Sequence, residues 1–205
     1  MIEQDMLDRI TNGKGFIAAL DQSGGSTPKA LKGYGIEEGA WGSEDEMFGL
    51  IHQMRVRIIT SPAFTGEKVL GAILFEKTMD GTAEGKPVPT LLRERGVVPF
   101  IKVDKGLEDE VDGAQLMKPM PGLNDLLARS KALGVVGTKM RSVIHAANAA
   151  GIAANVAQQF EFGNAIADAG LMPILEPEYN IKSADRADGE PILRDEILKG
   201  LDALP

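Results

Sequence analysis

Five times along these 205 residues a short apolar run ends in a charge. Phe16 to Leu20 runs into Asp21, and Val69 to Phe75 into Glu76. Val97 to Val103 carries Lys102 near its end, with Asp104, Lys105 and Gly106 behind it. Val135 to Thr138 runs into Lys139 and Arg141, and Leu171 to Leu175 into Glu176 and Glu178. Such β-branched runs read as buried strands, over about residues 16–21, 69–75, 97–103, 135–139 and 171–176. A buried charge costs several kcal/mol unless it is paired or used. Apolar strands with charges at their C-terminal ends describe a parallel α/β sheet whose site lies at that rim.

Helical patterns fill the gaps. Ile2, Met6, Leu7 and Ile10 share one face, and Gly13 is a stop. Ser43 and Glu46 form a capping-box pattern ahead of Met47, Leu50, Ile51, Met54 and Ile58. Further helices are expected at Thr90 to Arg95, Leu123 to Leu133, Ala146 to Ala169 and Pro191 to Leu201. His52 and His145 read as surface or boundary residues of helices, and Trp41 as packing. Residues 76–87 read as a polar loop, and Glu108 to Asp112 as a solvated acidic one. Strand–helix alternation gives right-handed βαβ units. Charges at every strand end favour a (β/α)8 barrel over an open nucleotide-binding sheet, and no Gly-rich phosphate-loop motif follows a strand. Five strands do not close an eight-stranded barrel of ~250 residues, so about five of eight βα units are expected here, in one domain.

Three stretches carry chemistry. After strand one, Asp21-Gln-Ser-Gly-Gly-Ser-Thr27 precedes Pro28. It reads either as a carboxylate beside a small anion site, with Gly24 and Gly25 allowing close approach and Ser23 and Ser26 as donors, or as a turn capped by Thr27. Lys139 and Arg141 are two apart, so on a strand they face the same way. Like charges side by side call for an anion between them, a phosphate or a carboxylate. Glu176 and Glu178 likewise share a face, as Mg²⁺ ligands or as an acid/base residue with a helper.

The net charge of −8 argues against a nucleic-acid or anionic-membrane partner. No apolar run approaches the ~20 residues of a membrane span, and the first residues lack a secretory-signal pattern. Without cysteine there is no disulfide, thiolate nucleophile or Cys-based metal site. A cytoplasmic enzyme fits.

Gly13 to Ser26, Gly71 to Glu76, Ile101 to Gly106, Lys139-Met-Arg141 and Pro173 to Glu178, in that order, resemble class I fructose-bisphosphate aldolase. The bacterial branch is most similar, through Ala-Leu-Asp-Gln-Ser-Gly-Gly-Ser-Thr-Pro-Lys-Ala-Leu. The resemblance implies a (β/α)8 barrel cleaving fructose 1,6-bisphosphate to dihydroxyacetone phosphate and glyceraldehyde 3-phosphate. It implies a lysine Schiff base, no metal or other cofactor, a sugar phosphate as the small-molecule partner, and room for a homo-oligomer. Asp21 then orients substrate and assists proton transfer, Lys139 supplies charge beside the Schiff base, and Glu176 is the general acid/base. Lys102, Arg141 and Ser26, with Ser23, match substrate- and phosphate-contacting groups, and Glu178 matches a carboxylate supporting the basic cluster. Ala30 departs from the arginine of animal members. The Schiff-base lysine of the family lies on strand six, so it is expected beyond Pro205, with the rest of the barrel domain. The alternatives are a metal-dependent barrel enzyme using Asp21, Glu176 and Glu178, and an inactive sugar-phosphate-binding fragment.

Overall fold

The computed structural model describes residues 4–23 and 25–204, so Ile2 and Gly24 lie outside the described residues. The chain forms two compact units. One comprises residues 1–102 and 128–137, the other 103–127 and 138–205.

The first unit opens with α1 (Gln4–Asn12) and enters β1 (Phe16–Leu20). Helix α2 (Thr27–Gly33) has Pro28 in its first turn, but Ser26, not Thr27, holds the cap position. Thr27 is instead turned inward, fully buried, and its hydroxyl donates to the Ser23 carbonyl. Helix α3 (Glu44–Ile59) starts as its capping box dictates. Ser43 Oγ accepts from the Glu46 amide, and the Glu46 carboxylate reaches back to the Gly42 amide. Its apolar face joins Met47, Phe48, Ile51 and Met54 to Leu31 of α2, with Trp41 packed alongside.

Strand β2 (Val69–Leu74) follows, almost wholly buried. Residues 76–87 are not a plain loop. They form a one-turn helix α4 (Glu76–Met79) and a two-residue hairpin, β3 (Thr82–Ala83) against β4 (Lys86–Pro87). Gly85, at φ +75°, turns that hairpin in a backbone conformation glycine adopts without strain. Helix α5 (Val88–Glu94) then leads through Gly96, also at positive φ, into β5 (Val98–Lys102). β1, β2 and β5 lie side by side and parallel, with Leu20 beside Leu74 and Leu74 beside Ile101. Their C-terminal ends therefore share one level, which places Asp21 and Lys102 at the same edge of this sheet.

In the second unit β6 (Ala114–Gln115) pairs antiparallel with a later strand. Helix α6 (Leu123–Ala132) follows, its residues from Ala128 onward belonging to the first unit, and then that strand, β7 (Gly137–Ile144). Helix α7 (Ala149–Asp168) is capped by Asn148, whose Oδ1 accepts from the amides of Ala150 and Gly151. Strand β8 (Met172–Tyr179) pairs with β7, and α8 (Arg186–Asp202) closes the chain. Ile152, Val156 and Phe160 of α7 pack with Ile144, Tyr179 and the α8 side chains Ile192, Leu193 and Ile197. Gly189 lets α8 lie directly on Tyr179, since a Cβ there would sit 2.0 Å from the tyrosine oxygen. Among the described residues no helix is long and apolar enough to cross a membrane.

Two strands run further than their apolar runs. The sequence reading ends them at 139 and 176, whereas β7 reaches Ile144 and β8 reaches Tyr179. Lys139, Arg141, Glu176 and Glu178 are thus inside strands rather than beyond them. Charged residues at alternate positions leave the intervening Met140 and Ser142 free to be buried, which β7 does. His145 follows the end of β7 and precedes α7, so it is not helical as expected.

Candidate active site

In the first unit, Asp21 is half-buried directly after β1, and the chain turns sharply behind it. The Ser23 carbonyl accepts from the amides of Ser26 and Thr27. Ser26 Oγ accepts from the Ser23 amide at 3.1 Å and lies 3.2 Å from its carbonyl. Beneath this turn is Arg55 of α3, 0% exposed and the largest fully buried side chain among the described residues. Its NH1 donates to Thr78 Oγ1 at 2.7 Å, and its NH2 to the Gln22 carbonyl at 2.5 Å and to Gln22 Oε1 at 3.2 Å. The guanidinium lies 5.9 Å from the centre of the Phe75 ring, which stacks on Phe48. Burial pushes the Arg55 guanidinium down to about 10, and the charge of Asp21 acts the other way. Lys102, half-buried, is the last residue of β5. On the same unit Arg129 bridges Glu76 and Asp80, which occupies the first strand-end glutamate in an exposed ion pair.

In the second unit, β7 and β8 present two ion pairs in step. Lys139 Nζ lies 2.7 Å from Glu176 Oε2, and Arg141 NH1 lies 2.9 Å from Glu178 Oε2. Both residue numbers rise together, as parallel neighbours require. The anion called for between Lys139 and Arg141 is therefore a carboxylate on each. The pairs differ in environment: the Lys139 side chain is 12% exposed and that of Arg141 44%. The backbone of the ladder is held as well. Buried Asp104 accepts from the Arg141 amide at 3.2 Å, and Gln159 Oε1 accepts from the Glu176 amide at 3.3 Å.

Behind these pairs lies a buried amide network from α7. Gln159 Nε2 donates to Ser142 Oγ at 2.7 Å, and that hydroxyl donates to Asn155 Oδ1 at 2.7 Å. Asn155 Nδ2 reaches the Val143 and Gln115 carbonyls. At the far end of the strands, His145 Nε2 meets Gln115 Oε1 and its Nδ1 meets Asn180 Nδ2. Asp185 there accepts from the Ala147 amide and the Ser183 hydroxyl, which hold it below the usual carboxylate range, the amide contributing most. Burial, and then Asp185, raises Tyr179.

The structure thus brings Lys139 together with Glu176, and Arg141 with Glu178. It sets Asp21 and Lys102 at the C-terminal ends of β1 and β5 in the first unit, with β2 between them, and Ser23 and Ser26 in the turn after β1. Sequence reasoning missed Arg55, Asp104 and Gln159. The first had a signal: Arg55 is four residues after Ile51 and four before Ile59, on the buried face of α3. Asp104 lies within a charged cluster, and Gln159 in a helix rich in alanine and amides, neither with a partner visible in sequence.

Comparison with known proteins gives this arrangement a context. A fructose-bisphosphate aldolase from Plasmodium falciparum, crystallised as a ternary complex with TRAP and a small-molecule inhibitor, superposes with a TM-score of 0.71. It is 23% identical, over 96% of this chain and 60% of that one, so the chain spans less than two thirds of the aldolase it matches. The likeness shows the fold, an α/β architecture of the TIM-barrel type that is incomplete in these residues. A lysine decarboxylase from Selenomonas ruminantium superposes only at a TM-score of 0.41 with 12% identity, over 98% of this chain and 55% of that one. The family model described as fructose-bisphosphate aldolase class-I matches residues 4–188. By that match, which takes in β1 through β8, the chain belongs to the class I fructose-bisphosphate aldolase family.

Proposed function

We propose that these residues supply the acid–base and cationic groups of a class I aldolase that cleaves fructose 1,6-bisphosphate through a lysine Schiff base. They would form part of one barrel domain, working in the cytoplasm on a sugar phosphate. The observation that carries the reading is the Lys139–Glu176 pair, 2.7 Å apart with the lysine almost buried. Forming a Schiff base needs a proton delivered to the carbinolamine hydroxyl as water leaves, and returned on hydrolysis. Glu176, half-exposed and touching an ammonium, is suited to carry it. Lys139, held as the cation of that pair, supplies positive charge next to the reacting carbon and stays out of the covalent step. Arg141, with Glu178 fixing its fork, offers planar donors to a phosphate.

The remaining roles follow from position in the family motifs. Asp21 orients substrate and assists proton transfer as the C–C bond breaks. Lys102, Ser23 and Ser26 contact hydroxyls and phosphate. The amine nucleophile must be neutral near pH 7, well below the ~10.4 of a free lysine, and is assigned to a lysine outside residues 1–205. Neighbouring cations such as Lys139 lower the pKa of such an amine.

Glu176→Gln in the gene product that contains these residues tests the reading. Turnover is expected to fall ~10²–10⁴-fold with little change in KM. An unchanged kcat removes Glu176 from the mechanism.

A further inference from the structure

We infer that Arg55 is the positioning residue of the turn from Asp21 to Ser26: it fixes where the chain leaves β1 and so where the Asp21 carboxylate sits. The inference rests on the reading above that Asp21 and this turn serve the substrate.

Three observations carry it. First, Arg55 does not touch the solvent, yet its NH2 donates to both oxygens of Gln22, the residue after Asp21. Gln22 in turn donates from Nε2 to the Ala19 carbonyl at 3.1 Å, closing a clamp across the end of β1. Second, the other arm of the guanidinium holds Thr78 of α4, so one planar group ties the segment after β1 to the segment after β2. Lysine has no such fork. Third, the position is otherwise apolar. Ile51 and Ile59, one turn away on either side, are 0% exposed, and a methionine would fill the space without the cost of burying a charge. The hydrogen-bond acceptors named here are neutral, while the charge of Asp21 acts on the guanidinium through space. A buried cation held this way contributes orientation, and its attraction for Asp21 is mutual.

Amide hydrogen exchange on the chain, read by mass spectrometry, tests this for Arg55→Lys and Arg55→Met. Loss of the fork is expected to speed exchange in residues 20–27 about tenfold in both variants, with residues 149–168 unchanged. The lysine variant, closest in length and charge, serves if the methionine variant fails to fold. Guanidinium ion added to Arg55→Ala is expected to restore the slow exchange. Wild-type exchange at residues 20–27 in the lysine variant, or equal acceleration at 149–168, overturns the inference. A catalytic readout is separate. In the gene product, Asp21→Asn combined with Arg55→Lys is expected to lower kcat no further than Asp21→Asn alone, and strictly additive losses also overturn it. Absence of any turnover in the wild type counts against the aldolase reading and leaves the exchange result to decide the role of Arg55.

Discussion

The two units handle buried cations in opposite ways. In the first, Arg55 is wholly enclosed and donates to a threonine hydroxyl and the two oxygens of a glutamine, so burial pushes it down to about 10. In the second, Lys139 and Arg141 each meet a carboxylate on the next strand, and neither is fully enclosed. The contrast separates two uses of charge. A cation deep among neutral acceptors fixes backbone. A cation beside a carboxylate, and half in solvent as Arg141 is, can exchange partners when an anionic substrate arrives, at little cost.

Substitutions sharpen that contrast. The largest loss is expected from neither cation but from the buried amide that seats their partner. Gln159→Leu strips hydrogen bonds from the Glu176 amide and Ser142 Oγ, each costing roughly 1–3 kcal/mol when left unpaired in the interior. Urea denaturation of the chain measures it, and a loss under 1 kcal/mol would mean that the network relaxes or hydrates. Arg55→Met should cost less, about 1–2 kcal/mol, since the Thr78 hydroxyl and the part-buried Gln22 oxygens lose their donor while the cost of burying a charge is relieved. A loss of several kcal/mol would show that Arg55 is a keystone of the fold rather than a local clamp. Breaking the more exposed pair with Arg141→Ala should cost at most about 1 kcal/mol, and less in high salt.

The smallest effect is a pH dependence. Asp185 has its folded pKa below the ordinary 3.8, so the stability it contributes is complete above the unfolded value and is lost as pH falls through the folded one. Tyr179 is raised above 10.0, so its contribution is present below that value and is lost at higher pH. Melting temperatures of Asp185→Asn and Tyr179→Phe across both limits should lose the acid and the alkaline slope respectively. A wild-type slope in either variant assigns it elsewhere.

How far the sequence carried this account varies with the kind of feature. Strand cores were legible, because β1 and β2 are uninterrupted apolar runs that stop short of the charge and β5 is one that ends in it, at Lys102, though β1 is buried only at Leu20 and not throughout as expected. β7 and β8 were legible only in their first halves. Lys139, Arg141, Glu176 and Glu178 look like strand ends until each is matched with its partner across the ladder, and that pairing is tertiary. The demand of Lys139 and Arg141 for an anion was readable from their spacing; that Glu176 and Glu178 meet it was not. Arg55 is hidden because a single charged residue on the apolar face of α3 leaves the helical period of Met47, Ile51, Met54 and Ile58 intact. His145 was misplaced because an alanine- and asparagine-rich run extends helical appearance back past the true cap, Asn148.

The central claim is that Lys139 is the charged neighbour of the nucleophile and not the nucleophile. The direct measurement is borohydride reduction of the gene product in the presence of dihydroxyacetone phosphate, with the modified lysine mapped by mass spectrometry. A reduced adduct outside residues 1–205 is expected, with Lys139 and Lys102 unmodified. An adduct on Lys139, or a catalytically active protein that yields no adduct, would contradict it.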